Sequence, residues 1–119
     1  WLNGNQIREV SALRELRQLT SLHLESNQLV DANSLKELRQ LKELSINHNQ
    51  LRDVSALKEL RQLTYLDLGH NQLTDLNALK ELKLLNHLDL RNNPDLPNAE
   101  VSKIRAALPK CRIYSNPTK

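Results

Sequence analysis

Residues 19–29 read Leu-Thr-Ser-Leu-His-Leu-Glu-Ser-Asn-Gln-Leu, and residues 41–51 read Leu-Lys-Glu-Leu-Ser-Ile-Asn-His-Asn-Gln-Leu. Residues 63–73 read Leu-Thr-Tyr-Leu-Asp-Leu-Gly-His-Asn-Gln-Leu. A further copy starts at Leu85 and keeps Leu88, Leu90 and Asn93. The apolar positions and the asparagine coincide after every shift of 22 residues, with no slip. A unit this short cannot bury its own apolar face, so each copy must stack on the next. The fold class is therefore an α/β solenoid.

Within each copy the alternation Ser21-Leu22-His23-Leu24 marks a strand whose leucines face one side. Equivalent strands of successive coils pair in parallel about 4.8 Å apart. The second half, Leu35-Lys-Glu-Leu38-Arg-Gln-Leu41, spaces its leucines three apart and fits one or two turns of α- or 3₁₀-helix. Ser11, Asn33, Ser55 and Asn77 stand before these turns, where a side-chain oxygen can accept from the first free amides. Asn5, Asn27, Asn49, Asn71 and Asn93 form a column inside the leucine layers. An unsatisfied buried amide costs ~1–3 kcal/mol. This column is expected to bond backbone of its own and the neighbouring coil, a structural rather than a catalytic role.

The 119 residues bound one domain, and 27 of them are leucine. Phe and Met are absent and only three residues are aromatic. A stacked core uses one shape repeatedly because each layer presents the same slots, whereas a layered globule mixes large and small shapes. No apolar run reaches the ~18–20 residues of a membrane span, and no signal-peptide pattern opens the chain. The single Cys111 excludes an intramolecular disulfide. That fits a reducing compartment and a cytoplasmic location; a small domain of a secreted protein has the same composition.

These residues resemble the leucine-rich repeat superfamily. The nearest form is the 22-residue subfamily of bacterial internalins and phosphatase-regulatory repeat proteins. Its segment Asn-x-Ile-x-Asp-Ile-x-Pro-Leu is matched in its Asp by Asp31, Asp53 and Asp75, with Glu9 a conservative departure. Its Pro is replaced by Ala12, Ser34, Ala56 and Ala78. That removes a preset φ and is expected to leave the convex segments slightly more helical. The resemblance implies a right-handed horseshoe segment with a concave parallel β-sheet and short helical convex segments. It covers residues 2–96, and the expected division is 1–96 for the repeats, one partial and four full, with 97–119 a capping helix and tail.

Leu2, Asn5 and Ile7 fall in register with Leu24, Asn27 and Leu29, and no amphipathic helix precedes them. Solenoid ends need covering, and the chain does not start with Met. The expectation is a natural protein that continues N-terminally, or an open coil that associates end to end. At the other end the period breaks at Pro94-Asp95-Leu96-Pro97. Asn98 is placed to cap a helix over residues 99–108, with Val101, Ile104 and Leu108 on one face and Pro109 as the stop. Arg112-Ile113-Tyr114 then adds an edge strand. This run resembles the terminal cap of bacterial leucine-rich repeat proteins, Leu-Pro-x-Cys-x-Ile, and implies a bacterial origin. In that cap Cys111 reads as a small buried apolar residue.

The resemblance places the non-leucine strand positions on the concave face. These are Ser21, His23, Glu25 and Ser26; Glu43, Ser45, Asn47 and His48; Tyr65, Asp67, Gly69 and His70; and His87, Asp89, Arg91 and Asn92. Trp1 and Asn3 share the columns, but a terminal residue is a poor anchor. The opposite side is monotonous: Arg14, Lys36, Lys58, Lys80; Glu15, Glu37, Glu59, Glu81; Arg17, Arg39, Arg61, Lys83. Scaffold requirements repeat with the scaffold, and a surface shaped to one partner does not. A polar face with no packing partner is also free to drift. Tyr and Arg are frequent interface anchors. Another protein, bound at Ser21, His23, Glu25, Glu43, Ser45, Asn47, His48, Tyr65, Asp67, His70, His87, Asp89 and Arg91, is the expected partner.

His48 and His70 share a column and could approach one ion with His23 or Asp67, but no third ligand stands at metal spacing. No metal and no cofactor is expected; the histidines could instead give weak pH dependence. Nor is an enzyme expected: there is no phosphate-binding glycine loop or nucleophile motif, and an open sheet lacks a water-excluding pocket. The net charge of +3 leaves an anionic partner, nucleic acid or an acidic surface, on the basic convex columns as the alternative. No aromatic side chains are interleaved there to stack bases.

Overall fold

The computed structural model describes residues 18–29 and 32–115. Expectations for Trp1, Leu2, Asn5, Ile7, Glu9, Ser11 and Asp31, and for the N-terminal end, fall outside the described residues. Five three-residue strands, β1 Ser21–His23, β2 Glu43–Ser45, β3 Tyr65–Asp67, β4 His87–Asp89 and β5 Arg112–Tyr114, form one parallel sheet in sequence order. Leu22, Leu44, Leu66, Leu88 and Ile113 align across it. Alternation turns these residues inward and their neighbours outward. The ladder continues past the strands, for example Leu24 N–H to Ser45 O at 2.8 Å and Leu68 N–H to Asp89 O at 2.9 Å.

The opposite side carries 3₁₀ segments, Asn33–Leu35, Ser55–Glu59 and Asn77–Glu81. A leucine spacing of three suits 3.0 residues per turn and gives too little length for an α-helix. Asn33, Ser55 and Asn77 do not cap these segments as expected; each is the first residue inside one, and no side-chain cap bond forms. The aspartates do that work. Asp53 Oδ1 accepts from Ser55 N–H and Asp75 Oδ1 from Asn77 N–H, both at 2.8 Å. The bonds from the Ser55 backbone and hydroxyl hold the Asp53 carboxyl below the usual range.

The leucine layers are fully buried: Leu35, Leu57 and Leu79 from the 3₁₀ side meet Leu44, Leu66 and Leu88 from the sheet. The asparagine column ties successive coils. Asn49 Nδ2 donates to Ile46 O of its own coil and Leu24 O of the preceding one, both at 3.0 Å, while its Oδ1 accepts from Leu29 N–H at 3.0 Å. Asn71 and Asn93 repeat the pattern one coil on each time.

Helix α1, Asn98–Ala107, lies over the last coil and buries Ile104. Leu108 is also buried, and Val101 half-buried. It starts one residue before the expected range, so Asn98 is helical and cannot cap; Pro97 stands at the cap position without a side-chain bond. It ends before Leu108, because a residue preceding proline is driven out of the α region. Glu100 in the first turn accepts from Leu76 N–H at 3.2 Å, joining the helix to the repeats. Cys111 is half-buried against the core, and burial pushes its thiol up.

Candidate binding face

The expected site residues occupy one face. Ser21, His23, Glu43, Ser45, Tyr65, Asp67, His87 and Asp89 lie on the strands, on either side of the inward leucines. Glu25, Asn47 and Arg91 follow one alternation further on. His48 and His70 sit where the chain leaves the sheet. Their φ values are 57° and 55°, and Ser26 and Asn92 share the column at 61° and 64°. This is the left-handed region, which Asn and His visit more readily than other non-glycine residues. The turn pins the two imidazoles face to face, with centroids 3.9 Å apart and planes 16° apart. His48 Nδ1 meets Asn47 Oδ1 at 3.1 Å, and His70 Nε2 meets Asn92 Nδ2 at 2.9 Å. Stacked rings hold their ring nitrogens side by side rather than converging on an ion. Among the described residues no three His, Cys, Asp or Glu side chains are placed to hold a metal.

A second stack runs across the sheet. Tyr65 lies on His87 at 4.4 Å with planes 6° apart, His87 meets Tyr114 at 5.0 Å with planes tilted by 42°, and the Arg91 guanidinium is 5.6 Å over Tyr114. In register, Tyr65 opposes His87, and His87 opposes Arg112. Tyr114 and Arg112 thus belong to the face, although the period did not point to them. The helix lengthens the last step, so that Leu88 pairs with Ile113 rather than with a residue 22 further on. The signal was there in the two residues flanking Ile113.

Asp89 is held by Arg91 through its side chain, at 2.8 and 3.1 Å, and its backbone N–H, at 3.0 Å. Desolvation pushes the Asp89 carboxyl up, but the Arg91 hydrogen bonds and charge outweigh it and leave it below the usual range. Asp67 accepts from Gly69 N–H at 3.0 Å and Asn47 Nδ2 at 2.8 Å. A Cβ at Gly69 would stand 3.2 Å from Arg91 O and 3.3 Å from Asp67 Oδ1, so a side chain there would crowd this arrangement. His23 lies between Glu43, at 2.7 Å, and Glu25, at 3.4 Å. Burial, and then the carboxylates of Asp67, Asp89, Glu43 and Glu25, push the Tyr65 phenol up, so it stays a neutral donor.

Ser45 departs from expectation. It points to the sheet face but is only 2% exposed. His23 and Asp67 stand on the adjacent strands in its row, and both are larger. Between the His48–His70 stack and the Asp67–Asp89 row lies an open depression of about 360 Å³, also lined by Asn47 and Arg91. The exposed convex side chains form one weak ion pair among the described residues, Arg39 with Glu59 at 4.0 Å. No helix among the described residues is long and apolar enough to cross a membrane.

The description "Leucine Rich repeats (2 copies)" matches residues 17–59 and 39–81, more than half the chain. No curated protein matches it at a significant level. Many solved structures are similar, three of them as follows. An internalin, InlF, of Listeria monocytogenes superposes with a TM-score of 0.84 at 31% identity, over 95% of this chain and 34% of the other. Internalin C2 of the same organism gives 0.85 at 29%, over 93% and 48%. A leucine-rich repeat protein of Leptospira interrogans gives 0.82 at 34%, over 92% and 29%. The chain thus spans less than half the length of each.

Proposed function

The chain belongs to the leucine-rich repeat family, and we propose that it is a non-enzymatic module that takes a protein partner on the concave face of its sheet. The observation that carries this is the run of rings Tyr65–His87–Tyr114, the first pair stacked and the second tilted by 42°, with Arg91 over its end. Tyr114 is 39% exposed, while the leucines beneath the sheet are buried. Interface anchors are commonly Tyr, Trp and Arg. Stacked rings lose little side-chain freedom when a partner lands, and that lowers the cost of association. The face is open and most of its polar groups bond one another, which suits recognition better than turnover.

Capture of a partner by immobilised protein tests this. Tyr65→Ala with Arg91→Ala is expected to abolish capture while lowering Tm only by the small contribution of the exposed Asp89–Arg91 pair, because neither side chain packs in the leucine core. Arg39→Ala with Arg61→Ala is expected to leave capture intact. Loss with the convex pair alone overturns the assignment. Position separates the alternative: an anionic partner on the basic convex side is lost with Arg39→Ala and Arg61→Ala and weakens steeply between about 50 and 200 mM salt, and a partner on the concave face survives the convex pair.

A further inference from the structure

The concave face carries a charge opposite in sign to that of the whole chain. The protein is +3 overall, yet the described face holds Glu25, Glu43, Asp67 and Asp89 against Arg91 and Arg112. Arg91 is spent on Asp89. Asp67 accepts from a backbone amide and an asparagine, both neutral donors, and has no ion pair among the described residues. Glu43 accepts from the Ser21 hydroxyl at 3.2 Å and from His23, whose charge depends on its proton. At the centre of these groups lies Ser45, in row with Asp67 and two residues along β2 from Glu43. Its Oγ is buried and makes no hydrogen bond. An orphaned buried hydroxyl is costly, and a ligand is one reason to keep it.

We propose that Glu43, Ser45 and Asp67, beside Tyr65, form a notch for the ammonium or guanidinium of a lysine or arginine on an extended basic segment of the partner. The chemistry of the walls selects the class. Two carboxylates and a serine oxygen are acceptors. The Tyr65 ring, stacked on His87 by one face, presents the other toward the coil of Glu43 and offers π-density to a cation. An anionic or purely apolar group gains nothing from this set. A cation with several N–H donors satisfies both carboxylates and reaches the Ser45 Oγ as a side chain shifts aside. The proposal rests on the concave face being the binding surface and specifies its partner.

The probe is a dye-labelled ten-residue peptide of alternating lysine and serine, with its glutamate counterpart, read by fluorescence anisotropy. The lysine peptide is expected to bind, although the protein is net positive, and the glutamate peptide is not. Glu43→Gln with Asp67→Asn keeps the acceptor oxygens and is expected to weaken binding about tenfold, in line with two half-exposed charge pairs. Glu37→Gln with Glu59→Gln makes the same change of net charge on the convex side and is expected to change affinity less than twofold. Ser45→Ala is expected to weaken binding several-fold while leaving Tm unchanged or raised, an outcome that a merely structural serine would not give. Equal binding of both peptides, equal losses from the two charge pairs, or full affinity in Ser45→Ala overturns the proposal. If the lysine peptide fails to bind while Tyr65→Ala with Arg91→Ala still abolishes partner capture, the basic class is wrong and the concave face stands. If neither pair matters to its assay, both fall.

Discussion

Asn71→Ala measures what holds one coil to the next. Asn71 Oδ1 is the acceptor for Leu51 N–H at 3.0 Å, and its Nδ2 donates to Ile46 O, Leu68 O and Gly69 O, each at 3.1 Å. After truncation the three carbonyls keep other donors: Asn49 Nδ2 for Ile46, Asn93 Nδ2 for Leu68 and His48 N–H for Gly69. Leu51 N–H has no second partner among the described residues and belongs to a fully buried residue. One orphaned buried donor costs about 1–3 kcal/mol, and each weakened carbonyl adds a few tenths. The expected loss is about 3 kcal/mol. With a urea m-value near 2 kcal/mol/M, that moves the unfolding midpoint down by about 1.5 M. Asn71→Asp keeps the acceptor for Leu51 but aims a carboxylate oxygen at three carbonyls, so it should cost at least as much. The assay is urea unfolding followed by circular dichroism. A midpoint shift in Asn71→Ala equivalent to less than 1 kcal/mol, or an Asn71→Asp close to wild type, refutes the ladder as the tie between coils.

Three further outcomes follow from the same geometry. Ser45→Ala removes an orphaned buried hydroxyl and should raise stability by up to about 1 kcal/mol; a loss in the denaturation midpoint would show that Ser45 is bonded in solution. Ser26→Gly relieves a left-handed backbone at φ 61° and should stabilise by up to about 1 kcal/mol, with a drop in Tm counting against strain at that turn. Acid should destabilise the fold: the Asp53 and Asp89 carboxyls lie below their unfolded value of about 3.9. Their stabilisation is therefore full above that value and lost as pH falls through the lower folded values. Arg91→Gln should make the fall of Tm below about pH 4 shallower than in wild type, and superimposable curves would exclude the Asp89–Arg91 contribution.

Coil spacing, strand positions, buried leucines and the bonding of the asparagine column were all legible, because each depends on a slot that recurs every 22 residues. What repeats identically can be read by superposing the copies. The left-handed column was not legible, because it holds Ser26, His48, His70 and Asn92 instead of glycine. The tie between coils imposes that backbone, whatever the side chain prefers. The capping role was read two residues late on Ser55 and Asn77, where Asp53 and Asp75 hold it. An aspartate just outside the turn reaches the same amides with a shorter loop. The candidate face was legible as columns of variable residues but not as a constellation. Ser45 is small among large neighbours, and its burial comes from His23 and Asp67 in other coils. Tyr114 joins the ring stack only because a helix of ten residues replaces a 3₁₀ turn and still returns the chain to the next rung of the sheet.

That return explains why this face can hold a ladder of rings at all. Parallel pairing fixes neighbouring strands about 4.8 Å apart, close to the spacing at which flat side chains stack. The observed centroid separations, 3.9 Å for His48–His70 and 4.4 Å for Tyr65–His87, fall just below that rung height. A planar side chain placed in one column of two successive coils therefore stacks without further design. A carboxylate placed in the same way repeats its charge at the same interval, as Asp67 and Asp89 do. Like charges at that distance repel, and each must be answered. Arg91 answers Asp89 from within the chain. Asp67 draws only neutral donors, and beside it the buried hydroxyl of Ser45 is unbonded. The scaffold supplies the spacing, and the unanswered charge on that spacing is the ground for proposing a cationic group on this face.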